Sequence, residues 1–357
     1  MQPLWLNLTA PSGSGKSEML RPFEDKNKPS TTEIMSKITK NTFLSGVKDE
    51  IDFAMTLKNN PMLFLTMDFA QFIKLNSEEK AQIWAQLRDL YDGFIERKAA
   101  FNVHKKVTGI KINWLICSTP TIDGELLIQQ ELGTRELLFR FTEDELLDEM
   151  LMDTVWNNSE KLVEMRNELS FVVRKFIEKK EIDGIKQIDI SNEIKKELKD
   201  TAVMIAALRA AAESDTYTGE LQNFVYKEMP TRILLQLKAI YCGLRNLDET
   251  YTDEQAKKVI KKVAMSSINP IRLRIITELM KNSSLSTTEI QKKLSIGWKT
   301  VITQLYTARQ LGLVDFSEDN YTTEGEANKA WKKKTWFVTN HRVINYLREI
   351  QNPLPDD

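Results

Sequence analysis

The first 141 residues alternate between short apolar runs and segments whose apolar residues recur at helical spacing. Four apolar runs are bounded by turn residues, a pattern typical of buried strands in a parallel sheet; they are residues 4–8, 62–67, 112–117 and 137–141. Between them, Ser77 to Tyr91 has acids in its first turn and apolar positions three and four residues apart, which predicts a helix. The pattern therefore predicts an α/β domain over residues 1–141.

Two segments within this domain have weaker patterns. The run from Asn41 to Gly46 is predicted to be a short strand with a turn, and Lys48 to Leu57 a helix. Residues 94–107 are rich in basic side chains and are predicted to form a hairpin-like insertion. Such basic residues form either a solvated face or a nucleic-acid contact, and the sequence leaves both interpretations open.

Beyond residue 141 the helical period dominates, which predicts an all-α lid over residues 142–267. Its expected helices are 144–156, 159–178, 191–212, 230–247 and 253–265. A boundary at Asn269-Pro270 separates the lid from residues 268–350. There, three helices are followed by two strands and a closing helix, the winged-helix pattern, and residues 351–357 are predicted to be a flexible tail.

The predicted winged helix supplies candidate contacts to duplex DNA. Its third helix would enter the major groove, and the side chains expected to be exposed there are Trp298, Lys299, Thr300, Thr303 and Gln304. The wing carries consecutive lysines suited to neutralise phosphates, namely Lys332, Lys333 and Lys334. Winged helices also serve as protein-docking modules, which stays as the alternative.

Composition restricts the class of protein. The 357 residues contain 50 Lys and Arg against 51 Asp and Glu, so any surface for nucleic acid must be local. Cys117 and Cys242 lie in apolar runs, which favours reduced thiols and a cytoplasmic protein. The two histidines and two cysteines lack metal-binding spacing, and no apolar run approaches the length of a membrane span, so neither a zinc site nor a membrane partner is expected.

The most specific motif spans residues 10–18, between the first predicted strand and a predicted helix, the context that a Walker A motif requires. Its glycines let backbone N–H groups close on phosphate oxygens, and the following helix adds its positive end. The residues expected around the phosphates are Pro11, Ser12, Gly13, Ser14, Gly15, Lys16, Ser17 and Glu18. Lys16 would reach the β- and γ-phosphates and Ser17 would ligate Mg²⁺, whereas Ala10 replaces the glycine with which the motif opens.

The apolar run 62–67 ends in Asp68, the pattern of a Walker B strand that brings a carboxylate to Mg²⁺ beside the phosphates. The next residue in this class is usually a glutamate that activates water, but here it is Phe69. The sequence does not choose among Gln71, Glu78 and Asp92 as substitutes for that base.

Three further residues are candidates for completing such a site. Thr119, with Ser118 as the alternative, ends the strand predicted between the two motif strands, where it would sense the γ-phosphate. Arg135 is expected to be exposed and to act as an arginine finger in a neighbouring copy, with a surface ion pair as the alternative. Arg232 begins a lid helix and is expected to contact the nucleotide, with a plain surface position as the alternative.

In order along the chain, the two Walker motifs and four other segments resemble AAA+ ATPases of phages and mobile elements, which look like relatives of the minichromosome maintenance (MCM) helicase core. The other segments are Asn41–Gly46, Leu87–Gly93, Ser118–Asp123 and Leu132–Arg135. The resemblance implies an α/β P-loop NTPase (AAA+) core, ATP and Mg²⁺ as cofactors, and an oligomeric, hexameric ATPase acting on DNA. It matches Thr119 to the first sensor, Arg135 to the finger and Arg232 to the lid arginine. The chain departs from the family at Phe69. Walker A also lies so near residue 1 that either the upstream segment, which helps to hold adenine in the family, is absent or the chain begins late.

Two functions fit these patterns. The first is an ATP-driven helicase or translocase that works in the replication of a phage or mobile element. The second is an ATP-switched DNA-binding initiator, loader or regulator with slow hydrolysis, which the missing acid after Asp68 favours. A protein remodeller that grips its substrate through the winged helix ranks below both.

Overall fold

The computed structural model describes residues 2–24, 31–45, 51–99, 103–125, 134–142, 149–210, 221, 225, 228–248, 250–321 and 331–351. The chain divides into two compact units, Met1–Asp189 with Lys238–Val263, and Ile190–Leu237 with Ala264–Asp357. The residues predicted to form one helical lid, 142–267, are thus distributed over both units. The predicted tail lies outside the described residues apart from Gln351, which ends a helix.

The first unit contains a parallel sheet of five strands in the order β2-β3-β6-β1-β7. These strands are β1 (Trp5–Thr9), β2 (Thr32–Ile34), β3 (Met62–Thr66), β6 (Ile112–Ser118) and β7 (Leu137–Arg140), and the antiparallel hairpin of β4 (Phe94–Ala99) and β5 (Val103–Thr108) stands apart from them. All four predicted apolar runs form strands of the sheet, and the predicted hairpin is also confirmed. The fold class is therefore mixed α/β, with β6 between β1 and β3 as expected.

The prediction of a strand at Asn41–Gly46 is wrong for the residues described. Residues 40–43 form turns and bends, and Gly46 lies outside the described part of the chain. The edge strand is instead β2, which pairs with β3 from Thr32↔Leu63 to Ile34↔Leu65. Its residues are only partly buried, as suits an edge strand, and this polar segment carries no strong strand pattern.

Aromatic packing holds the core of the first unit together. Trp5 and Trp114 meet edge to face at 5.0 Å, and Phe64 packs on Trp114 at 6.2 Å. The buried indole N–H groups are satisfied, because that of Trp5 donates to the Ile112 carbonyl at 2.9 Å and that of Trp114 to the Thr66 hydroxyl at 3.0 Å. These contacts hold the central strands together. They therefore fix the position of the sheet edge at which the candidate site lies.

Helices flank the sheet and continue the chain beyond it. In the first unit they are α1 (Lys16–Leu20), α2 (Phe53–Thr56), α3 (Ala70–Ile73), α4 (Ser77–Tyr91), α5 (Glu149–Asn158) and α6 (Leu162–Asp183). The division between the units then falls within α8 (Thr231–Leu247) and α9 (Asp253–Ser266), while α7 (Asn192–Leu208) belongs to the second unit. The helices predicted from spacing are present, with shifted ends.

The second unit ends in three helices, a small antiparallel sheet and a closing helix. The helices are α10 (Pro270–Lys281), α11 (Thr287–Leu294), α12 (Trp298–Gln310) and α13 (Arg342–Gln351). The sheet has the order β8-β10-β9, from β8 (Leu285–Ser286), β9 (Val314–Tyr321) and β10 (Trp331–Val338). Ser286 and Glu289 form a reciprocal capping box that starts α11, and β8 is too short to be predicted.

Candidate nucleotide and nucleic-acid sites

The loop of residues 10–15 joins β1 to α1 at the carboxyl end of the parallel sheet. Gly13 and Gly15 have positive φ values of 81° and 77°, a backbone conformation that other residues adopt with strain. Gly15 also precedes the first residue of α1, so the chain turns sharply into the helix. The glycines of the predicted motif therefore occupy the two positions of the loop that require them.

Lys16 is buried at the start of α1, and its side chain turns back toward the loop. The ammonium group donates to the carbonyl of Ala10 at 2.8 Å, to the carbonyl of Pro11 at 2.6 Å and to the Ser14 hydroxyl at 3.0 Å. Burial lowers the pKa of Lys16 from its ordinary value, and the nearby Cys117 and Asp68 act in the opposite direction. The lysine thus sits inside the loop and interacts electrostatically with the Asp68 carboxylate.

Ser17 connects the loop region to the end of β3. Its hydroxyl donates to the Met67 carbonyl at 3.0 Å, directly before Asp68. The Asp68 carboxylate accepts from the backbone N–H of Ala70 at 2.9 Å, which fixes its position at the start of α3. The structure therefore brings Lys16 and Ser17 of the first motif together with Asp68 of the second motif. The two motifs are 50 residues or more apart in sequence.

The chemistry of these side chains suits Mg²⁺ bound together with phosphate. A hydroxyl and a carboxylate are hard oxygen ligands, and Mg²⁺ in such sites uses one or two carboxylates with substrate phosphates supplying further ligands. Within the described residues, no three His, Cys, Asp or Glu side chains cluster as a metal site made by protein alone. The donor set therefore fits a metal that arrives with its phosphate ligand.

Cys117 lies next to this group, and sequence reasoning did not assign it a role at the site. It is the second-last residue of β6, between the two motif strands, and its electrostatic neighbours are Lys16 and Asp68. Burial raises the pKa of the Cys117 thiol to about 11, so the neutral form is the one present at neutral pH. The Cys117 side chain forms an apolar surface beside Lys16. Its position in an apolar strand is the sequence signal that could have indicated this role.

Of the two sensor candidates, Thr119 is the more accessible. Ser118 is buried, and its hydroxyl donates to the Asn7 side chain at 2.6 Å. The Thr119 hydroxyl lies 2.6 Å from that of Thr121 at the end of β6, between the two motif strands. Thr119 is therefore the more accessible of the two candidates.

Phe69, where a glutamate usually stands, is committed to the core. Its ring stacks on Phe72 at 4.6 Å and its backbone N–H donates to the Cys117 carbonyl at 2.9 Å. Among the suggested substitutes, Asp92 forms an ion pair with Arg135 at 2.9 Å, whereas Gln71 lines the same small cavity as Asp68. Gln71 is thus the substitute that the structure places beside the candidate metal ligand.

The expectation that Arg135 is exposed is wrong. Its side chain is buried, pairs with the Asp92 carboxylate at 2.9 Å and packs over the Tyr91 ring at 5.6 Å. Asp92 follows the last residue of α4, so the ion pair ties the segment before β7 to the end of that helix. An ion pair was the alternative interpretation, and in this pair the arginine is buried whereas the Asp92 carboxylate is exposed.

Glu18 and Arg232 have partners other than those expected. The Glu18 carboxylate accepts from Arg166 at 2.6 and 2.7 Å and from Arg21 at 3.0 Å, and the hydrogen bond with Arg166 is the main reason that its pKa is lowered. Its backbone N–H donates to the Gly15 carbonyl at 2.9 Å. In the second unit, the Arg232 guanidinium lies 3.3 Å from the Glu228 carboxylate, which also binds Arg209.

The third helix of the C-terminal region, α12, presents part of the predicted DNA-binding set to solvent. Trp298 and Lys299 are exposed, and Thr300 and Thr303 are half-buried. Gln304 is engaged internally, because its carbonyl oxygen accepts from the Nε of Arg272 at 3.1 Å. Arg272 is itself buried and donates to the carbonyls of Leu208 and Ala210, so Gln304 holds a buried cation and does not face outward as predicted.

The lysines of the predicted wing lie on β10. Lys334 donates to the Tyr306 hydroxyl at 2.7 Å and lies over the Phe316 ring at 4.6 Å. The backbones of Lys332 and Lys333 are in register with Asn320 and Asp319 of β9. In the hairpin β4–β5, Arg97 donates to the Leu44 carbonyl at 2.6 Å, whereas Lys98 and Lys106 are exposed.

Comparison with models of known protein families finds no match to this chain, and comparison with curated proteins finds none either. Among the described residues, no helix is both long enough and apolar enough to cross a membrane. The function must therefore be inferred from the geometry of the two candidate sites.

Proposed function

We propose that this chain is an AAA+ ATPase that acts on DNA, as a replicative helicase or translocase of a phage or mobile element. The single observation that carries the proposal is the meeting of Lys16, Ser17 and Asp68 at the carboxyl end of a parallel sheet. The strand order β2-β3-β6-β1-β7 adds support, because it puts the sensor candidate Thr119 between the strands of the two motifs. The fold proposed is a P-loop core with a helical lid and a winged helix.

The side chains have distinct roles in this proposal. The loop from Pro11 to Gly15 surrounds the phosphates, and Lys16 neutralises their charge. Ser17 and Asp68 supply the hydroxyl and carboxylate oxygens for Mg²⁺, which offsets the charge that develops during phosphoryl transfer. Gln71, which lines the cavity beside Asp68, orients the attacking water.

Duplex DNA is the proposed partner of the C-terminal region. The succession of α10, α11, α12 and the β9–β10 ribbon supports a winged helix, in which α12 lies in the major groove. Trp298 and Lys299, both exposed at the start of α12, are the proposed contacts to the duplex. Because the chain as a whole is close to neutral, this contact would rest on local charge.

A second candidate function is an ATP-switched initiator, loader or regulator with slow hydrolysis. The burial of Phe69 favours it, because no carboxylate stands at the position that usually activates water. The ion pair of Arg135 with Asp92 favours it too, since that arginine is occupied within its own chain. In either function the proposed assembly is a homo-oligomer, a hexamer in the family that the sequence resembles.

ATP turnover with and without duplex DNA tests the proposal. Lys16→Ala is expected to abolish turnover through loss of binding, whereas Lys195→Ala, at an exposed lysine of α7, is expected to leave turnover unchanged. Strand displacement measured on the same preparations separates the two functions, because a motor couples turnover to unwinding and a switch binds DNA without it. Equal turnover in the wild-type protein and Lys16→Ala would contradict both.

A further inference from the structure

Helix α6 exposes an unusual number of large apolar side chains. The helix is described over its whole length, and none of its residues is buried. Five of its exposed apolar residues follow one another at intervals of three and four, namely Leu162, Met165, Leu169, Val172 and Phe176. This is the heptad spacing of a seam that packs against another helix.

Among the described residues, a short turn that follows α1 packs against a different side of α6. Arg166 binds Glu18, and Arg174 and Glu181 line a cleft with residues of the 3₁₀ turn Arg21–Phe23. In the heptad that the five apolar residues define, Arg174 and Glu181 hold the position opposite the seam. The seam therefore points away from the 3₁₀ turn against which α6 packs, and the Arg166–Glu18 pair lies beside the seam.

The charges beside the seam change sign along the helix. Glu168 flanks the first half of the seam, and Lys175 and Lys180 flank its second half. Arg166, which also flanks the first half, is paired with Glu18. Two copies of α6 paired in parallel would align like charges, and two antiparallel copies would align opposite charges. The charge pattern thus selects another α6, running antiparallel, as the complementary surface.

We propose that the seam of α6 is the dimer interface of this protein, and that its occupant is the α6 helix of a second copy. A two-fold axis between Ser170 and Phe171 places Leu169 opposite the second copy's Val172, and Met165 opposite its Phe176. In this register Glu168 of each copy flanks the seam beside Lys175 of the other. At 1.5 Å per residue, residues 162–179 of the two copies run together for ~27 Å, enough for several interlocking layers.

The mass of the protein in solution, measured without nucleotide over a range of concentrations, tests the interface. The wild-type protein is expected to show an even multiple of the 41.3 kDa chain. Val172→Glu puts a charge into the seam and is expected to weaken association at least tenfold. The matched control is Val163→Glu, at a similarly exposed position away from the seam, which is expected to associate like the wild type.

Charge exchange tests the antiparallel register. Glu168→Lys and Lys175→Glu each create like-charge pairs across the axis and are expected to weaken association, and the double variant is expected to restore it. Circular dichroism verifies that these surface variants keep their helix content. A wild-type mass of 41.3 kDa at every concentration, equal effects of Val172→Glu and Val163→Glu, or no recovery in the double variant would overturn the proposal. Because Lys16→Ala should dimerise normally, failure here is distinguishable from failure of the nucleotide site.

Discussion

Lys16 satisfies its three N–H donors within its own loop. Its acceptors are two backbone carbonyls and a hydroxyl, all of them neutral groups. Phosphate oxygens carry the negative charge that these neutral acceptors lack, so they attract the ammonium more strongly and can displace the acceptors. The loop therefore stabilises the buried ammonium without preventing its transfer to a triphosphate.

At this scale the sequence predicts some roles and cannot predict others. The sequence predicts one site from Lys16, Ser17 and Asp68, because their spacing and their strand contexts define its chemistry locally. The burial of Arg135 depends on Tyr91 and Asp92, more than 40 residues earlier, and the position of Gln304 depends on Arg272 in another helix. Such tertiary contacts leave no local signal, so both residues were expected to face outward.

The Arg135–Asp92 pair is expected to stabilise the first unit. Arg135→Met removes a charge-assisted hydrogen bond from a buried guanidinium, which should lower the free energy of unfolding by ~1.5–3 kcal/mol. Urea denaturation of Arg135→Met, Asp92→Asn and the double variant gives the coupling between the two side chains. Additive losses of free energy would show that the pair is not coupled.

At the scale of elements, local pattern predicted most of the architecture. Strands β1, β3, β6 and β7 are buried apolar runs, and α4 and α12 have clear helical spacing, so these elements follow from the sequence itself. Strand β2 was missed because it is a half-buried edge strand whose pairing with β3 creates it. Its polar residues lack the signal that burial on both faces produces in the central strands.

Helices α1 and α6 are joined by Glu18 and Arg166, which makes their attachment sensitive to acid. The folded-state pKa of Glu18 is lowered, so its carboxylate contributes stability above the ordinary glutamate pKa of about 4.3 and loses it as the pH falls further. We expect Glu18→Gln to lower the melting temperature modestly at pH 7, because the pair is partly exposed.

The difference between Glu18→Gln and the wild type should shrink as the pH falls through the folded-state pKa. Melting temperatures from pH 7 down to acid measure it. Glu79→Gln, at an exposed position near the start of α4, is the control and should differ little from the wild type at pH 7. A difference between Glu18→Gln and the wild type that stays constant with pH would exclude the ionic contact.

At the scale of the whole molecule, the chain combines a candidate nucleotide site in one unit with a candidate DNA-binding region in the other. The near-neutral total charge gives no general attraction to nucleic acid, so any binding must come from a local surface. An effect of ATP on DNA binding would require the two units to act together in one protein. The sequence predicts the nucleotide site and the DNA-binding region separately. Binding measurements on the full chain test whether the two cooperate.

The most direct test of the central claim is calorimetric titration of the full chain with a non-hydrolysable ATP analogue, with and without Mg²⁺. We expect the wild-type protein to bind one analogue per chain and to bind it more tightly with Mg²⁺. Lys16→Ala should abolish binding, and Ser17→Ala should remove the Mg²⁺ dependence while the protein stays folded. Wild-type protein that binds no analogue, or that binds it equally well after Lys16→Ala, would contradict the account.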